Sequence, residues 1–172
     1  LSRGEFLDNN ASVYGGAVAA AGVSSLVLQG GSVFEGNQAL LGGALHCSGV
    51  PVSGSASSAT SCSLSDTSFT SNIATGANEE LSLLDDLLEG VDGGGAVAFL
   101  FGSANITDSV IDGNNAQFSG GAVLGGNGTY ITVDGCKFEN NTAMEHGGAI
   151  AAASMTFGGN TQLTNNSADG DG

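Results

Sequence analysis

Aspartates at similar places in three successive segments are the nearest approach to a catalytic arrangement in this sequence. Asp66, Asp108 and Asp134 each close a short strand-like stretch. Stacked carboxylates could bind Ca²⁺, or could supply the paired acids that glycoside hydrolysis requires. The alternative is that each aspartate caps backbone amides within its own turn. Because Arg3 and Lys137 are the only fixed cations, a site for an acidic sugar would have little positive charge. We therefore expect no catalytic residue, no cofactor and no metal site, with Ca²⁺ along this row the exception left open.

The other reactive residue types form no catalytic pattern. His46 and His146 lie on different sides of their neighbouring glycine pairs, so they are not expected to form a zinc site. No serine stands in a nucleophile elbow. The glycine-rich runs at 93–95 and 125–128 have no following lysine, which argues against a phosphate-binding loop.

Three cysteines suggest an oxidising compartment. Cys47 and Cys62 flank a Ser/Gly/Ala-rich excursion over 48–61, and a disulfide between them would close that loop. The alternative is two unpaired cysteines that pack as small hydrophobic side chains. Cys136 is left over, and we expect it to pack in the core.

Five Asn-x-Ser/Thr triplets are candidate N-glycosylation sites if the protein is secreted by a eukaryote. They begin at Asn10, Asn105, Asn127, Asn140 and Asn165. Asn105 and Asn127 both lie near predicted turns, which makes them the best of the five.

These residues are carried by a repeat, in which a Phe is followed by an Asn three positions later and then by Gly-Gly-Ala-aliphatic. Uninterrupted copies place their glycine pairs 26 or 27 residues apart, and a period of this size predicts a solenoid. The expected core column is Phe6, Phe34, Phe69, Ile111, Phe138 and Leu163. The expected amide ladder is Asn9, Asn37, Asn72, Asn114, Asn141 and Asn166.

Each period divides into three short strand-like pieces separated by turn formers. This pattern predicts an all-β fold, a parallel β-helix with three short strands and about 27 residues per coil. The crossover rule makes it right-handed. The alanine of each glycine-glycine-alanine run could point outward, giving a flat face for lateral docking, or inward, filling a narrow waist. The five alanines are Ala17, Ala44, Ala96, Ala122 and Ala149.

Residues 76–92 interrupt the period. Their leucines have helical spacing, Asn78 is a plausible N-cap and Gly90 a plausible stop, which predicts a short acidic amphipathic helix over 78–90. It could pack on the flank of the solenoid or contact a partner. Since no polar cap is evident at either end, we interpret 1–172 as a single β-helix segment excerpted from a larger protein.

Charge narrows the possible partners. The chain carries 17 acidic residues against 2 basic ones, a formal net charge of −15. Nucleic acid, anionic lipid and acidic polysaccharide all require clustered Lys and Arg. We therefore expect no nucleic-acid partner, and no apolar run reaches the roughly 20 residues that a membrane span needs.

The double motif closely resembles the polymorphic outer-membrane protein repeat of chlamydial surface adhesins and of large secreted proteins of other microbes. The matching residues are Phe6/Asn9, Phe34/Asn37, Phe69/Asn72 and Phe138/Asn141, with the glycine pairs at 15, 42, 94, 120 and 147. Ile111 and Leu163 replace Phe in two copies. The resemblance implies a right-handed β-helix at the cell surface or outside the cell, and it carries no catalytic residues.

The expected function is a non-enzymatic extracellular or cell-surface scaffold, structural or adhesive, in a filament or a surface coat. The expected partners are other subunits, further segments of the same chain, or cell-surface receptors or glycans. The alternative is a carbohydrate-binding or carbohydrate-active β-helix, since the predicted fold is also that of pectate lyases. A row of acids in a groove would favour that alternative.

Overall fold

The computed structural model describes residues 1–49, 60–76, 93–126 and 128–170. These residues form four parallel sheets, in which each strand pairs with the equivalent strands of the coils before and after it. The prediction of stacked parallel strands is confirmed. No helix occurs in the described ranges, and the helix predicted over 78–90 lies outside them.

The phenylalanine sheet and the short-strand sheet form the first half of each coil. The phenylalanine sheet contains β1 (Glu5–Leu7), β4 (Ser32–Glu35), β8 (Thr67–Thr70), β12 (Val110–Asp112), β16 (Lys137–Glu139) and β20 (Gln162–Thr164). The short-strand sheet contains β5 (Gln38–Ala39), β9 (Ile73–Ala74), β13 (Asn115–Ala116), β17 (Thr142–Ala143) and β21 (Ser167–Ala168). A turn occupied by the ladder asparagine separates the two.

The alanine sheet and the serine sheet form the second half. The alanine sheet contains β2 (Val18–Ala21), β6 (Leu45–Ser48), β10 (Val97–Leu100), β14 (Val123–Gly125) and β18 (Ile150–Ala152). The serine sheet contains β3 (Ser25–Leu28), β7 (Thr60–Ser65), β11 (Gly102–Thr107), β15 (Thr129–Asp134) and β19 (Met155–Gly158). The glycine pair forms the corner before each alanine-sheet strand.

The prediction of three strands per coil was therefore wrong, because each complete coil among the described residues has four strands. The additional strand is two residues long and follows the ladder asparagine, as in Asn37-Gln38-Ala39. Its alanine points into the core, and Ala39, Ala74, Ala116 and Ala143 are at most 1% exposed. Successive ladder asparagines are 28, 35, 42, 27 and 25 residues apart along the chain. The two long spacings span the interruptions at 50–59 and 77–92.

The alanine after each glycine pair points inward. Ala44 and Leu45 both belong to the main core, although adjacent residues of a regular strand face opposite sides. Both of their amides donate to the carbonyl of Ala96, at 2.9 and 3.0 Å. This bulge explains why strand alternation could not decide the question. The outward positions come one residue later, and they are Ala19, His46, Ala98, Leu124 and Ala151.

The corner before the alanine sheet requires glycine at both positions. Gly42 has φ +64°, a left-handed conformation that residues with a Cβ rarely adopt. A Cβ on Gly43 would collide with the carbonyl oxygen of Gly95 in the next coil. The glycine pair therefore allows the coils to stack closely at this corner.

Candidate functional site

The most regular polar feature is the asparagine ladder inside the turn between the phenylalanine and short-strand sheets. Asn114 illustrates it. Its Oδ1 accepts from the backbone amide and from Nδ2 of Asn72, both at 2.9 Å. Its Nδ2 donates to Oδ1 of Asn141 at 2.9 Å and to the carbonyl of Phe69 at 3.0 Å. The amide groups thus satisfy both one another and the turn backbone.

The ladder runs in one direction through six coils. Each Nδ2 donates to Oδ1 of the asparagine in the following coil, at 2.8 or 2.9 Å in every step. Asn37, Asn72, Asn114 and Asn141 are fully buried, whereas Asn9 and Asn166 are more exposed at the two ends. A carboxylate could accept these bonds but could not donate the next one, which explains why Asp is absent from the ladder.

The residue before each ladder asparagine has a left-handed backbone. The residues at this position are Asp8, Gly36, Ser71, Gly113, Asn140 and Asn165, with φ between +50° and +65°. The ladder side chain and this backbone conformation together define the turn.

The phenylalanine column lies in the strand before the ladder turn, and the ladder amides donate to the carbonyls of column residues such as Phe34 and Phe69. The ring centroids of Phe6 and Phe34 are 4.4 Å apart, and those of Phe34 and Phe69 are 4.7 Å apart. Ile111 and Phe138 continue the column in register and are fully buried. Leu163 also pairs in register with Phe138, yet it is 50% exposed because no described strand lies beyond β20. It therefore keeps its predicted place in the column, at the last described strand.

A second polar ladder, which sequence reasoning missed, lies two residues before the column residue in five of the six coils, the exception being Gly4 before Phe6. Its members are Ser32, Thr67, Ser109, Cys136 and Thr161. The backbone amide of Thr67 donates to Oγ of Ser109, and that of Cys136 to Oγ1 of Thr161. The Sγ of Cys136 lies 3.3 Å from the carbonyls of Ile106 and Asp134, so the thiol stands where other coils have a hydroxyl. The sequence signal for this ladder is the Ser, Thr or Cys that stands two positions before the column residue.

Cys47 and Cys62 form a disulfide that joins β6 to β7 across the interior of one coil. Their Cα atoms are 6.7 Å apart and both residues belong to the main core. The link closes a 15-residue separation, a loop size for which a disulfide contributes about 3 kcal/mol to stability.

The three aspartates do not form the vertical row that would have favoured catalysis or Ca²⁺. Asp134 pairs in register with Thr107, while Asp66 and Asp108 lie one position later, after their strands have ended. Asp66 and Asp108 have φ of +50° and +47°, and the equivalent position in the next coil is Gly135. Within the described ranges, no three His, Cys, Asp or Glu side chains come close enough to hold a metal ion. Lys137 forms an ion pair with Glu139 at 2.8 Å on the phenylalanine sheet.

The two histidines lie in different environments. His146 is exposed. His46 is on the outer side of the alanine sheet, where its ring stacks on Tyr14 with centroids 4.6 Å apart. It is only 3% exposed and its Nδ1 has no hydrogen-bond partner. Burial without a partner lowers the pKa of His46 to about 4, so the ring is neutral near pH 7.

Four of the five sequon asparagines lie on the surface. Asn10, Asn140 and Asn165 are exposed near the turn of the amide ladder, and Asn105 is exposed on the outer side of β11. Asn127 lies outside the described residues. Nδ2 of Asn140 donates to the carboxylate of Asp112 at 2.9 Å.

The outer sides of the sheets differ in chemistry. The alanine sheet carries a small apolar cluster of Leu41, Ala98, Leu100 and Leu124. The phenylalanine sheet carries acids, including Glu35, Asp112 and Glu139, in one file. The serine sheet carries mainly hydroxyl groups. Variation is thus confined to the outside, around an interior that repeats from coil to coil.

One stretch of this interior matches a known family. Residues 135–153 fit the model of the Chlamydia polymorphic membrane protein (Chlamydia_PMP) repeat. This stretch includes Phe138, Asn141 and the glycine pair at 147. Phe138 pairs in register with the column residues of the neighbouring coils, and Asn141 bonds to the ladder asparagine of the coil before it. No curated protein and no solved structure matches the chain. Proteins with this repeat are associated with the outer membrane and the cell surface. No helix in the described part of the chain is long and apolar enough to cross a membrane.

Proposed function

We propose that this chain is a non-enzymatic scaffold outside the cell or on its surface, with a structural or adhesive role. The observation that carries the proposal is the asparagine ladder, which runs unbroken through six coils and beside a filled apolar core. The matched repeat supports the surface location.

The use of the buried polar groups supports a scaffold. Apart from His46, the buried polar side chains bond to an equivalent residue in another coil or to nearby backbone. Such bonds hold one coil on the next and leave little polar chemistry to act on a substrate. Asp134 is out of register with Asp66 and Asp108, so the three aspartates do not form one row.

A stacked architecture of this kind presents long faces to the outside. The partners we propose are other subunits in a filament or coat, further segments of the same chain, and receptors or glycans on cell surfaces. A surface with net charge −15 and two basic residues favours neutral or cationic partners over anionic ones.

Labelling of intact source cells with an antibody to this chain tests the location, and electron microscopy of the same material tests for a filament or coat. Beads coated with the purified protein test adhesion to cells. We expect surface label together with either an ordered assembly or bead adhesion. Label confined to the cell interior would contradict the proposal, and so would cleavage of polygalacturonate by the purified protein in the presence of Ca²⁺.

A further inference from the structure

The outer side of the serine sheet is a regular array of neutral polar groups. Strand pairing aligns two files of outward residues across successive coils. One file is Ser25, Ser61, Ser103 and Tyr130, and the other is Val27, Ser63, Asn105, Thr132 and Thr156. Neighbours within a file are separated by the strand spacing of about 4.8 Å. The hydroxyl and amide groups of this array therefore recur at a fixed interval on a flat surface.

Most of these groups are available to a ligand. The side chains of Ser103, Asn105 and Thr132 make no hydrogen bond to any other described residue. Ser103 and Asn105 are exposed, and Thr132 is half-buried between its neighbours. Each can donate and accept, so the array suits a partner that offers both kinds of group.

Tyr130 gives this face an aromatic platform. It is 49% exposed, and its hydroxyl is 2.6 Å from Oγ1 of Thr156 in the next coil. Thr156 pairs in register with Thr132, which is two residues after Tyr130 on the same strand. The hydrogen bond from Tyr130 to Thr156 therefore runs diagonally from one strand to the next. The ring is thus half exposed on the outer face and is fixed at its hydroxyl end.

The face is also nearly free of charge. Among the residues of β3, β7, β11, β15 and β19, Asp134 is the single ionisable carboxylate, and it lies at the end of its strand. The acids of the neighbouring phenylalanine sheet lie outside this array. Asp66 and Asp108 directly follow β7 and β11, so these acids collect with Asp134 at the edge where the strands end, and the strand residues before that edge carry no charge.

We propose that the outer face of the serine sheet binds a neutral glycan, with a sugar ring stacked on Tyr130 and its hydroxyls bonded to Ser103, Asn105 and Thr132. The ring face of tyrosine carries partial negative charge and attracts the C–H groups on the flat side of a pyranose. Sugars offer both donors and acceptors, as the array requires. A protein partner would favour an apolar centre, whereas most of this face is polar. This proposal names the ligand class of the adhesive role proposed above, and it rests on that role.

The test is retention of the purified 172-residue protein on insoluble cellulose, chitin and mannan, with polygalacturonate as the acidic comparison. Protein made in a bacterium carries no N-linked glycan, so Asn105 is unmodified in the assay. We expect retention on at least one neutral polysaccharide, little change with added NaCl, and a loss of about tenfold or more in Tyr130→Ala. Thr156→Val, which frees the ring from its hydroxyl partner, should give a smaller loss.

Tyr14→Ala removes the other tyrosine, which lies beside His46 on the alanine sheet, and should retain wild-type binding. Thermal melting of every variant shows that the solenoid is intact. Failure of the wild type to bind any neutral polysaccharide, equal binding by Tyr130→Ala, or equal retention on polygalacturonate would each overturn the glycan proposal. If beads coated with Tyr130→Ala adhere to cells as the wild type does, the glycan proposal fails while the adhesive role stands. Absence of both surface label and wild-type adhesion would defeat the role itself.

Discussion

Replacement of Asn114 by aspartate changes one atom type in the middle of the amide ladder. The substitution keeps the shape of the side chain and the oxygen that accepts from Asn72. The second oxygen, however, would replace the Nδ2 that now faces three acceptors. These are Oδ1 of Asn141 and the carbonyls of Phe69 and Asp112, at 2.9, 3.0 and 3.2 Å. A carboxylate 1% exposed and surrounded by acceptors is strongly disfavoured.

Part of the cost depends on pH. The folded variant can avoid the buried charge by taking up a proton, while the unfolded chain has an aspartate pKa of about 3.9. At pH 7 this proton uptake costs about 4 kcal/mol, since each pH unit above the unfolded pKa contributes about 1.4 kcal/mol. The pKa in the folded state is raised, so the loss is largest at high pH. It should fall by about 1.4 kcal/mol per pH unit and level off near pH 4 at about 1 kcal/mol, because the protonated carboxyl donates one hydrogen bond where the amide donated two.

The measurement is the free energy of unfolding in urea, followed by circular dichroism at pH 4, 5, 6 and 7. Each variant is compared with the wild type at the same pH. The matched control is Asn115→Asp, because Asn115 is the next residue and its side chain is exposed on β13. That control should differ from the wild type by less than about 0.5 kcal/mol at every pH. If Asn114→Asp followed its control, or if its destabilisation did not change with pH, the ladder would not contribute to stability as argued here.

Three further predictions concern the burial of individual side chains. Burial lowers the pKa of His46 to about 4, so the unfolded chain takes up a proton before the folded one does. The free energy of unfolding of the wild type should therefore fall by about 3 kcal/mol as the pH drops from about 6.5 to 4. The variant His46→Leu should lack this contribution to the pH dependence. The free energy of unfolding of Cys136→Ser should lie within about 1 kcal/mol of the wild-type value, because a hydroxyl can donate to the same carbonyls. In the wild type, the Cys136 thiol should react with a thiol reagent only when the protein unfolds. Phe138→Ala should cost about 3–5 kcal/mol in urea denaturation and Leu163→Ala less than half of that, since the first residue is fully buried and the second is half exposed.

The interior could be predicted from sequence because its signals recur at one period. The phenylalanine column and the asparagine ladder each repeat a residue type that has one physical use at that position. The same reasoning could have found the fourth strand, since an alanine follows each ladder asparagine by two residues, as in Asn72-Ile73-Ala74. A strand of two residues is too short to show alternation, so the pattern of apolar and polar residues does not distinguish it from the turn.

Two other features could not have been derived from strand periodicity. Ala44 and Leu45 both point inward because a bulge interrupts the alternation, and the bulge depends on hydrogen bonds to the next coil. Leu163 occupies a column position, yet a residue in register is buried only where another coil covers it. In both places the outcome depends on a neighbouring coil, which local sequence does not describe.

The outward residues carry a different kind of information. From β3 to β15 the interior file of the serine sheet contains Leu28, Leu64, Ile106 and Val133, all aliphatic and almost fully buried. The adjacent outward file changes between Val27, Ser63, Asn105, Thr132 and Thr156, with no requirement imposed by stacking. Stability therefore constrains one side of each strand and leaves the other free to match a partner. Exchange of outward residues should alter binding with little effect on the free energy of unfolding, and exchange of inward residues should do the reverse. Measurement of both quantities in the same variants separates the residues that stabilise the fold from those of the proposed recognition surface.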